Sequence, residues 1–176
     1  MNLDTYFLNP GELLFTTHPI NIKTILGSCV AVCLYDRVNG YGGMCHYLLP
    51  ETSENKDAST KYGSIAIPVL IKKFLTNNSE RKNLEASVIG GSLILYNQNE
   101  IFFIGDRNVA IANELLNKHK IRIRTSDYGG EKGRTIIFNT HTGNISVKSH
   151  HEYRINDMLI DSNTGESTDN KIGDTL

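Results

Sequence analysis

One cysteine and one histidine stand at a spacing that would let the second side chain activate the first. Cys29 ends the segment TILGSC (24–29), and His46 follows it by seventeen residues, across an apolar run and a turn. The thiolate form of cysteine is a strong nucleophile, and an imidazole that removes the thiol proton is a simple way to generate it. The pair therefore predicts a cysteine nucleophile with a histidine base.

Two predicted strands would bring this pair together. Residues 30–35 (VAVCLY) are rich in β-branched and aromatic side chains, and residues 44–49 form a second strand that stops at Pro50. The turn RVNG (37–40) lies between them, with Asn-Gly as its strongest signal. A hairpin folded about residues 37 and 38 places Cys29 directly opposite His46, with Cβ atoms roughly 4.5–5.5 Å apart.

The two residues before the cysteine suit the same chemistry. Gly27 allows a close approach to the sulfur, and the backbone N–H groups near Ser28 and Cys29 could point at a developing oxyanion. The simpler alternative is that Cys29 is a small buried hydrophobe, as free cysteines often are. An activated thiol would react with iodoacetamide at a pH well below its ordinary pKa of about 8.5. This reaction distinguishes an activated nucleophile from a buried core cysteine.

The remaining cysteines are interpreted as core residues. Cys33 lies within an apolar run, and Cys45 neighbours His46, so on a regular strand it points to the opposite face. A zinc site made of Cys29, Cys33, Cys45 and His46 is the alternative. No CxxC spacing occurs, so no metal is predicted.

Two glycine clusters do not match phosphate-binding patterns. Gly90-Gly91 lacks the Lys-Ser/Thr of a P-loop, and Gly129-Gly130-x-x-Gly133 lacks the strand and helix order of a dinucleotide fold. We interpret these glycines as bulges and tight turns, and no cofactor is predicted.

The pattern of elements predicts a mixed α/β layered sandwich, with β-sheets covered by two main amphipathic helices. The first helix spans 61–75, where Pro68 marks a start or a kink, and the second spans 107–119 after a Gly105-Asp106 cap. The other predicted strands are 13–15, 21–26, 85–96 with an interruption at the double glycine, 101–104, 121–125, 134–138 and 144–148.

Composition limits the classes of function. The chain has 176 residues and a net charge of −1, which gives no general attraction to nucleic acid or an anionic membrane. No signal-peptide-like segment follows Met1, and no apolar run reaches the ~20 residues of a membrane span. Three cysteines fit reduced thiols. We expect a cytoplasmic protein with one domain over 1–148 and a polar, disordered tail over 149–176.

Several segments together resemble the chemoreceptor glutamine deamidase family, CheD, of bacterial chemotaxis. They run in family order over most of residues 10–148. As they stand here they are PGELLF (10–15), TILGSCVAVCLYDRVNGYGGMCHYLLP (24–50), KYGSIAIPVLI (61–71), VIGG (88–91), IGDRNV (104–109) and GGEKGRTIIFNTHTG (129–143).

The resemblance implies an α/β sandwich similar to bacterial deamidating toxins, and hydrolysis of receptor glutamine amides to glutamate with release of ammonia. At the matching positions Cys29 would be the nucleophile and His46 the general base. The family's third catalytic member is a threonine upstream of the cysteine. Thr24 is the candidate, although an ungapped match puts Lys23 in that column. No cofactor is implied, and a methylesterase side activity on glutamyl esters would use the same chemistry.

The resemblance also implies two partners: the helical bundle of a chemoreceptor as substrate, and a CheC-type phosphatase. Phe102 and Phe103, or the loop at Tyr128, are candidates for a partner surface, although buried core is the favoured role for the phenylalanines. Two other functions remain open. One is a non-catalytic module that docks on receptor or phosphatase, and the other is a thiol protease.

Overall fold

The structure is a computed structural model that describes residues 3–52, 59–97 and 100–150. A short 3₁₀ turn lies at Arg81–Asn83. In chain order the elements are β1 (Thr5–Phe7), β2 (Leu13–Thr16), β3 (Asn21–Leu26), β4 (Val30–Asp36), β5 (Tyr41–Tyr47), α1 (Gly63–Thr76), β6 (Leu84–Gly90), β7 (Ile94–Asn97), β8 (Glu100–Phe102), α2 (Ile104–Lys118), β9 (Arg122–Tyr128), β10 (Gly133–Asn139) and β11 (Ile145–His150).

The described strands form two main sheets and a separate β7–β8 hairpin. The five-stranded sheet has the order β2-β5-β4-β6-β9, and the four-stranded sheet has the order β1-β3-β10-β11. Helices α1 and α2 pack on one face of the five-stranded sheet, and the four-stranded sheet packs on its other face. The mixed α/β layered sandwich predicted from the sequence is confirmed.

Strand β4 lies in the middle of this sandwich and supplies side chains to both apolar layers. Val30, Val32 and Leu34 face the helices, whereas Ala31 and Cys33 face the four-stranded sheet. A strand buried on both faces needs a continuous apolar run, which is what residues 30–35 provide. Any side chain on the Ala31 face of β4 therefore lies between the two sheets.

Helix α1 begins at Gly63 and continues through Pro68, so the proline marks neither of its ends. Proline in a helix interior removes one hydrogen bond. The buried stripe of α1 offsets this loss because it packs against β4 and β5. The stripe consists of Ala66, Ile67, Leu70, Ile71 and Phe74.

The start of α2 differs from the prediction. Phe103 is the N-cap residue, Ile104 is helical rather than part of a strand, and Gly105 lies in the first turn. A Cβ at Gly105 would come within 2.5 Å of the Gly91 carbonyl oxygen, so glycine is required for close packing there and not as a cap. The expectation that Phe103 is core is wrong, since it is 59% exposed.

The two ends of the fold also differ from expectation. Strand β1, parallel to β3, was not predicted, because its three exposed residues carry no alternation of apolar and polar side chains. Strand β11 extends to His150, two residues beyond the predicted domain boundary at Lys148. The rest of the predicted tail, 151–176, lies outside the described residues. In the described part of the chain, no helix is long and apolar enough to cross a bilayer.

Candidate active site

Cys29 lies in a three-residue connection, 27–29, between β3 of one sheet and β4 of the other. Its side chain packs against the apolar layer between the two sheets and remains partly accessible. The connection is short because the chain passes directly from one layer to the next. It therefore holds the thiol at an end of the sandwich.

The register of the β4–β5 hairpin differs from the prediction by two residues. Asp36 pairs with Tyr41, so Ala31, and not Cys29, lies directly opposite His46. The connection is a four-residue turn, and the Asp36 carboxylate accepts hydrogen bonds from the N–H groups of Val38 and Asn39. With this turn, the centre of the hairpin lies closer to the C-terminus than predicted. The expected direct opposition of Cys29 and His46 is therefore wrong.

The slip of two residues nevertheless keeps both side chains on one face. Cys29 precedes Ala31 by two positions, and side chains two positions apart on an extended chain point the same way. Cys29 itself lies in a bend one residue before β4, and its side chain packs with Ala31 and Cys33 in the layer between the sheets. The Cys29 and His46 side chains both face the layer between the sheets.

A threonine of the other sheet fixes the protonation of His46. The Thr24 hydroxyl donates to the Leu8 carbonyl oxygen at 2.7 Å, and Thr24 Oγ1 lies 2.8 Å from His46 Nδ1. A carbonyl only accepts, so the hydroxyl proton is used there and Oγ1 must accept from Nδ1–H. The neutral imidazole therefore carries its free lone pair on Nε2.

That lone pair is buried and unused at rest. Thr24 and His46 are both 0% exposed, and His46 Nε2 has no hydrogen-bond partner among the described residues. Lys23 pairs with Phe7 and Ile137 and, as the neighbour of Thr24 on a strand, projects to the opposite face of the sheet. The hydroxyl that orients the imidazole therefore comes from Thr24.

Burial sets the resting charges of the pair. It lowers the pKa of His46 from 6.5 to about 4, against smaller opposing effects of the Leu8 carbonyl and the Glu12 charge. It raises the pKa of the Cys29 thiol from 9.0 to about 11. The thiol pKa thus moves in the direction opposite to that expected from the sequence. At neutral pH the Cys29 thiol and the His46 imidazole are therefore both uncharged.

The lowered pKa of His46 predicts a loss of stability in acid. Between pH 6.5 and about 4 the imidazole is protonated in the unfolded chain and neutral in the folded one, so acidification favours unfolding. The difference corresponds to roughly 3 kcal/mol of unfolding free energy. Denaturant titrations across this window should show the loss, and a His46→Asn variant should show a shallower one. Equal pH slopes for the two proteins would contradict the prediction.

The connection before β4 is held by three successive carbonyl groups. The Gly27 carbonyl accepts from Ser92 N–H at 2.8 Å, the Ser28 carbonyl from Asn108 Nδ2 at 3.0 Å, and the Cys29 carbonyl from Gly91 N–H at 2.8 Å. In a trans peptide the C=O and the following N–H point in opposite directions. The N–H groups of Ser28 and Cys29 therefore point away from these partners.

The N–H of Cys29 lies close enough to its own sulfur to lower the thiol pKa slightly, against the larger effect of burial. The N–H groups of Ser28 and Cys29 are therefore candidate donors to an oxyanion on an attacked carbonyl. Ser28 and Gly27 were expected from the sequence to support the site, and their carbonyl groups hold the connection through Asn108 and Ser92. We assign no role to the Ser28 hydroxyl.

A buried arginine holds the loops behind this connection. Arg134 lies on β10, where it pairs with Leu26 of β3, and it is 7% exposed. Its guanidinium donates to Asp127 Oδ1 at 2.9 Å, to Ser92 Oγ at 2.9 Å, and to the carbonyls of Gly129 and Lys132, both at 3.0 Å. The Ser92 loop that Arg134 fixes is the one that holds Gly27. The sequence indicated the glycine turn but not this role of Arg134.

The other cysteines do not share the site. Cys33 lies in the layer between the sheets, and Cys45 lies in the helix-side layer, opposite to His46 on β5. Cys45 and His46 therefore cannot bind one metal ion together. Within the described ranges, no group of three His, Cys, Asp or Glu side chains is arranged to hold a metal.

Comparisons with known proteins place the chain in a family. The family model described as CheD chemotactic sensory transduction matches residues 48–149, a range that begins after positions 29 and 46. A protein of Trichlorobacter lovleyi named probable chemoreceptor glutamine deamidase CheD is 41% identical over 138 residues, which cover 78% of this chain and 86% of that protein.

A protein of the same name from Methylobacillus flagellatus is 35% identical over 163 residues, covering 90% of this chain and 80% of that protein. A match of this extent necessarily includes positions 29 and 46. A solved structure of the hypothetical protein YfiH of Bacillus licheniformis has a TM-score of 0.45 and 14% identity, over 65% of this chain and 49% of that one. The family model and both relatives show that this chain belongs to the CheD family.

Proposed function

We propose that this protein is a cysteine-dependent hydrolase that converts selected glutamine side chains of chemoreceptors to glutamate and releases ammonia. The observation that carries the proposal is the His46 imidazole. Thr24 fixes its tautomer, and its Nε2 lone pair is buried on the same face as the Cys29 thiol. The relatives named as probable chemoreceptor glutamine deamidases support the choice of substrate.

The first half of the reaction forms a thioester. His46 Nε2 takes the proton of the Cys29 thiol as the sulfur attacks the side-chain amide carbon of glutamine. The carbonyl oxygen becomes an oxyanion that accepts hydrogen bonds from the N–H groups of Ser28 and Cys29. The imidazolium then donates its proton to the amide nitrogen, so that ammonia leaves and the acyl group stays on sulfur.

The second half restores the enzyme. A water molecule gives a proton to His46 Nε2 and attacks the thioester carbon, and the tetrahedral intermediate expels the Cys29 sulfur. The sulfur regains its proton from His46, and the glutamine has become glutamate. The net change is one water consumed and one ammonia released, and no cofactor takes part. A glutamyl methyl ester would follow the same path with methanol as the leaving group.

The proposed reaction requires this protein to bind a chemoreceptor. The substrate side chain lies on the helical bundle of a receptor, so recognition is between two proteins in the cytoplasm. Each turnover replaces a neutral amide with a negative charge and so changes the packing between receptor helices. A CheC-type phosphatase is the second proposed partner.

Mass spectrometry of a receptor cytoplasmic fragment after incubation with the protein tests the proposal. We expect selected glutamines to gain the mass difference between an amide and an acid, with the polypeptide intact. Cleaved fragments would instead indicate a thiol protease. Binding of receptor or phosphatase without any mass change would indicate a docking module. Release of methanol from a methylated fragment measures the esterase activity separately.

Thr24 offers a graded test of the imidazole's orientation. Thr24→Val keeps the shape of the side chain but removes the hydroxyl that accepts from Nδ1–H and donates to the Leu8 carbonyl. We expect kcat to fall about 10- to 100-fold, less than the ~10⁴-fold that follows removal of an orienting carboxylate. Thr24→Ser keeps the hydroxyl and should retain most of the activity. A Thr24→Val variant as active as wild type would transfer the orienting role to Ser28 or to backbone.

A further inference from the structure

We propose that Asn108 is a positioning residue that aims the Cys29 N–H at the oxyanion of the reaction. The proposal rests on Cys29 as the nucleophile assigned above. Asn108 lies in the second turn of α2 and is 0% exposed, although a buried helix face ordinarily carries apolar side chains. It is therefore a polar residue placed where packing alone would favour leucine or methionine.

The Asn108 amide joins two segments that flank the site. Its Nδ2 atom donates to the Ser28 carbonyl at 3.0 Å and to the Leu48 carbonyl at 2.8 Å. Because both partners can only accept, the atom that contacts them must be the nitrogen. Ser28 precedes the nucleophile, and Leu48 follows the strand that carries His46. One side chain thus fixes the nucleophile's connection relative to β5.

The bond to Ser28 determines the direction of one particular N–H group. The Ser28 carbonyl and the Cys29 N–H belong to the same peptide plane, so fixing the first fixes the second. The carbonyls on either side, of Gly27 and Cys29, are held by backbone N–H groups of Ser92 and Gly91. The middle carbonyl is the one held by a side chain, and a substitution can remove that contact without changing the backbone.

The other end of the amide supports this interpretation. Asn108 Oδ1 is buried and accepts no hydrogen bond from the described residues. A buried acceptor without a partner lowers stability. The two donated hydrogen bonds are gained at the cost of this unpaired acceptor. What Asn108 supplies, and an apolar residue of similar size would not, is the pair of N–H donors.

Two reagents separate this role from general support of the fold. Acylation of Cys29 by p-nitrophenyl acetate passes through a tetrahedral oxyanion, whereas alkylation by iodoacetamide displaces iodide and forms none. Both rates are measured at one alkaline pH on wild type, Asn108→Ala, and the near-isosteric Asn108→Asp, which lacks the donors. The matched control is Ala112→Gly, which weakens α2 one turn further along at a position that is also 0% exposed.

We expect both Asn108 variants to lower the acylation rate roughly 10- to 100-fold, somewhat less than the loss of a whole oxyanion donor. Their alkylation rate should stay within about twofold of wild type. Ala112→Gly should leave the ratio of the acylation rate to the alkylation rate unchanged. Equal losses with both reagents would show that Asn108 only supports the fold. Unchanged acylation in either variant would also overturn the proposal.

Receptor deamidation is measured on the same proteins, so the two proposals fail separately. A fall in kcat with an unchanged KM for the Asn108 variants would extend the positioning role to the proposed reaction. Wild type that acylates normally but leaves receptor glutamines unchanged would refute the proposed substrate. The ratio of the two thiol reactions would in that case still decide the role of Asn108.

Discussion

Cys29→Ala is expected to abolish conversion of receptor glutamine to glutamate, with a loss of roughly 10⁴-fold or more in kcat. Without the sulfur no thioester forms, and the imidazole and the backbone N–H groups have no bond-making partner. The fold should change little, because the three carbonyl contacts of the connection are made by backbone atoms of residues 27–29. Peptide mass spectrometry of a receptor fragment, over a time course, measures the residual rate.

Cys33→Ala is the matched control for this substitution. Cys33 faces the same layer between the sheets, four positions further along, but it is 1% exposed and lies away from the connection. Its replacement should cost some stability through a small cavity and leave kcat near wild type. Cys29→Ser should be nearly as inactive as Cys29→Ala, since a hydroxyl loses its proton far less readily than a thiol. Turnover near wild type in Cys29→Ala would refute the assignment of the nucleophile.

Much of the layered fold follows from local patterns in the sequence. Strand β3 was predicted with its observed bounds, since its residues alternate between the two faces of an outer sheet. The predicted apolar stripe of α2 is buried, at Val109, Ala112, Leu115 and Leu116. These elements could be predicted because one amphipathic pattern specifies both the element and the face that it buries.

The hairpin register could not be predicted, because it depends on a turn that the Asp36 carboxylate organises. An Asn-Gly pair favours a two-residue turn, whereas the hydrogen bonds from Val38 and Asn39 to Asp36 stabilise a four-residue one. Cys29 and His46 still face the same layer, because a slip of two residues preserves the face of a strand, whereas a slip of one would have reversed it.

The contacts across layers were the least accessible from the sequence. Thr24 and His46 are 22 residues apart and belong to different sheets, so no local pattern links them. Asn108 and Ser28 are 80 residues apart. A signal for Asn108 did exist, because an asparagine next to Val109 interrupts the apolar face of α2. A polar residue in such a stripe needs a hydrogen-bond partner, but the sequence does not name that partner.

His46→Asn is the second substitution for which we expect a large loss. The asparagine Nδ2 can stand near the position of the imidazole Nδ1 and donate to Thr24, so the buried hydrogen bond has a replacement. No atom of asparagine can accept and return a proton as Nε2 does. Loss of a general acid and base from both halves of the reaction should lower kcat roughly 10²- to 10⁴-fold.

The pH profile distinguishes a lost base from a disturbed fold. Wild-type kcat should fall only as pH approaches about 4, where His46 gains a proton. In His46→Asn the residual rate should rise steadily with pH toward about 11, because the thiolate of Cys29 must then form without help. A variant that is slow at every pH but keeps the wild-type profile would show that the base lies elsewhere and that His46 supports the site only through its contact with Thr24.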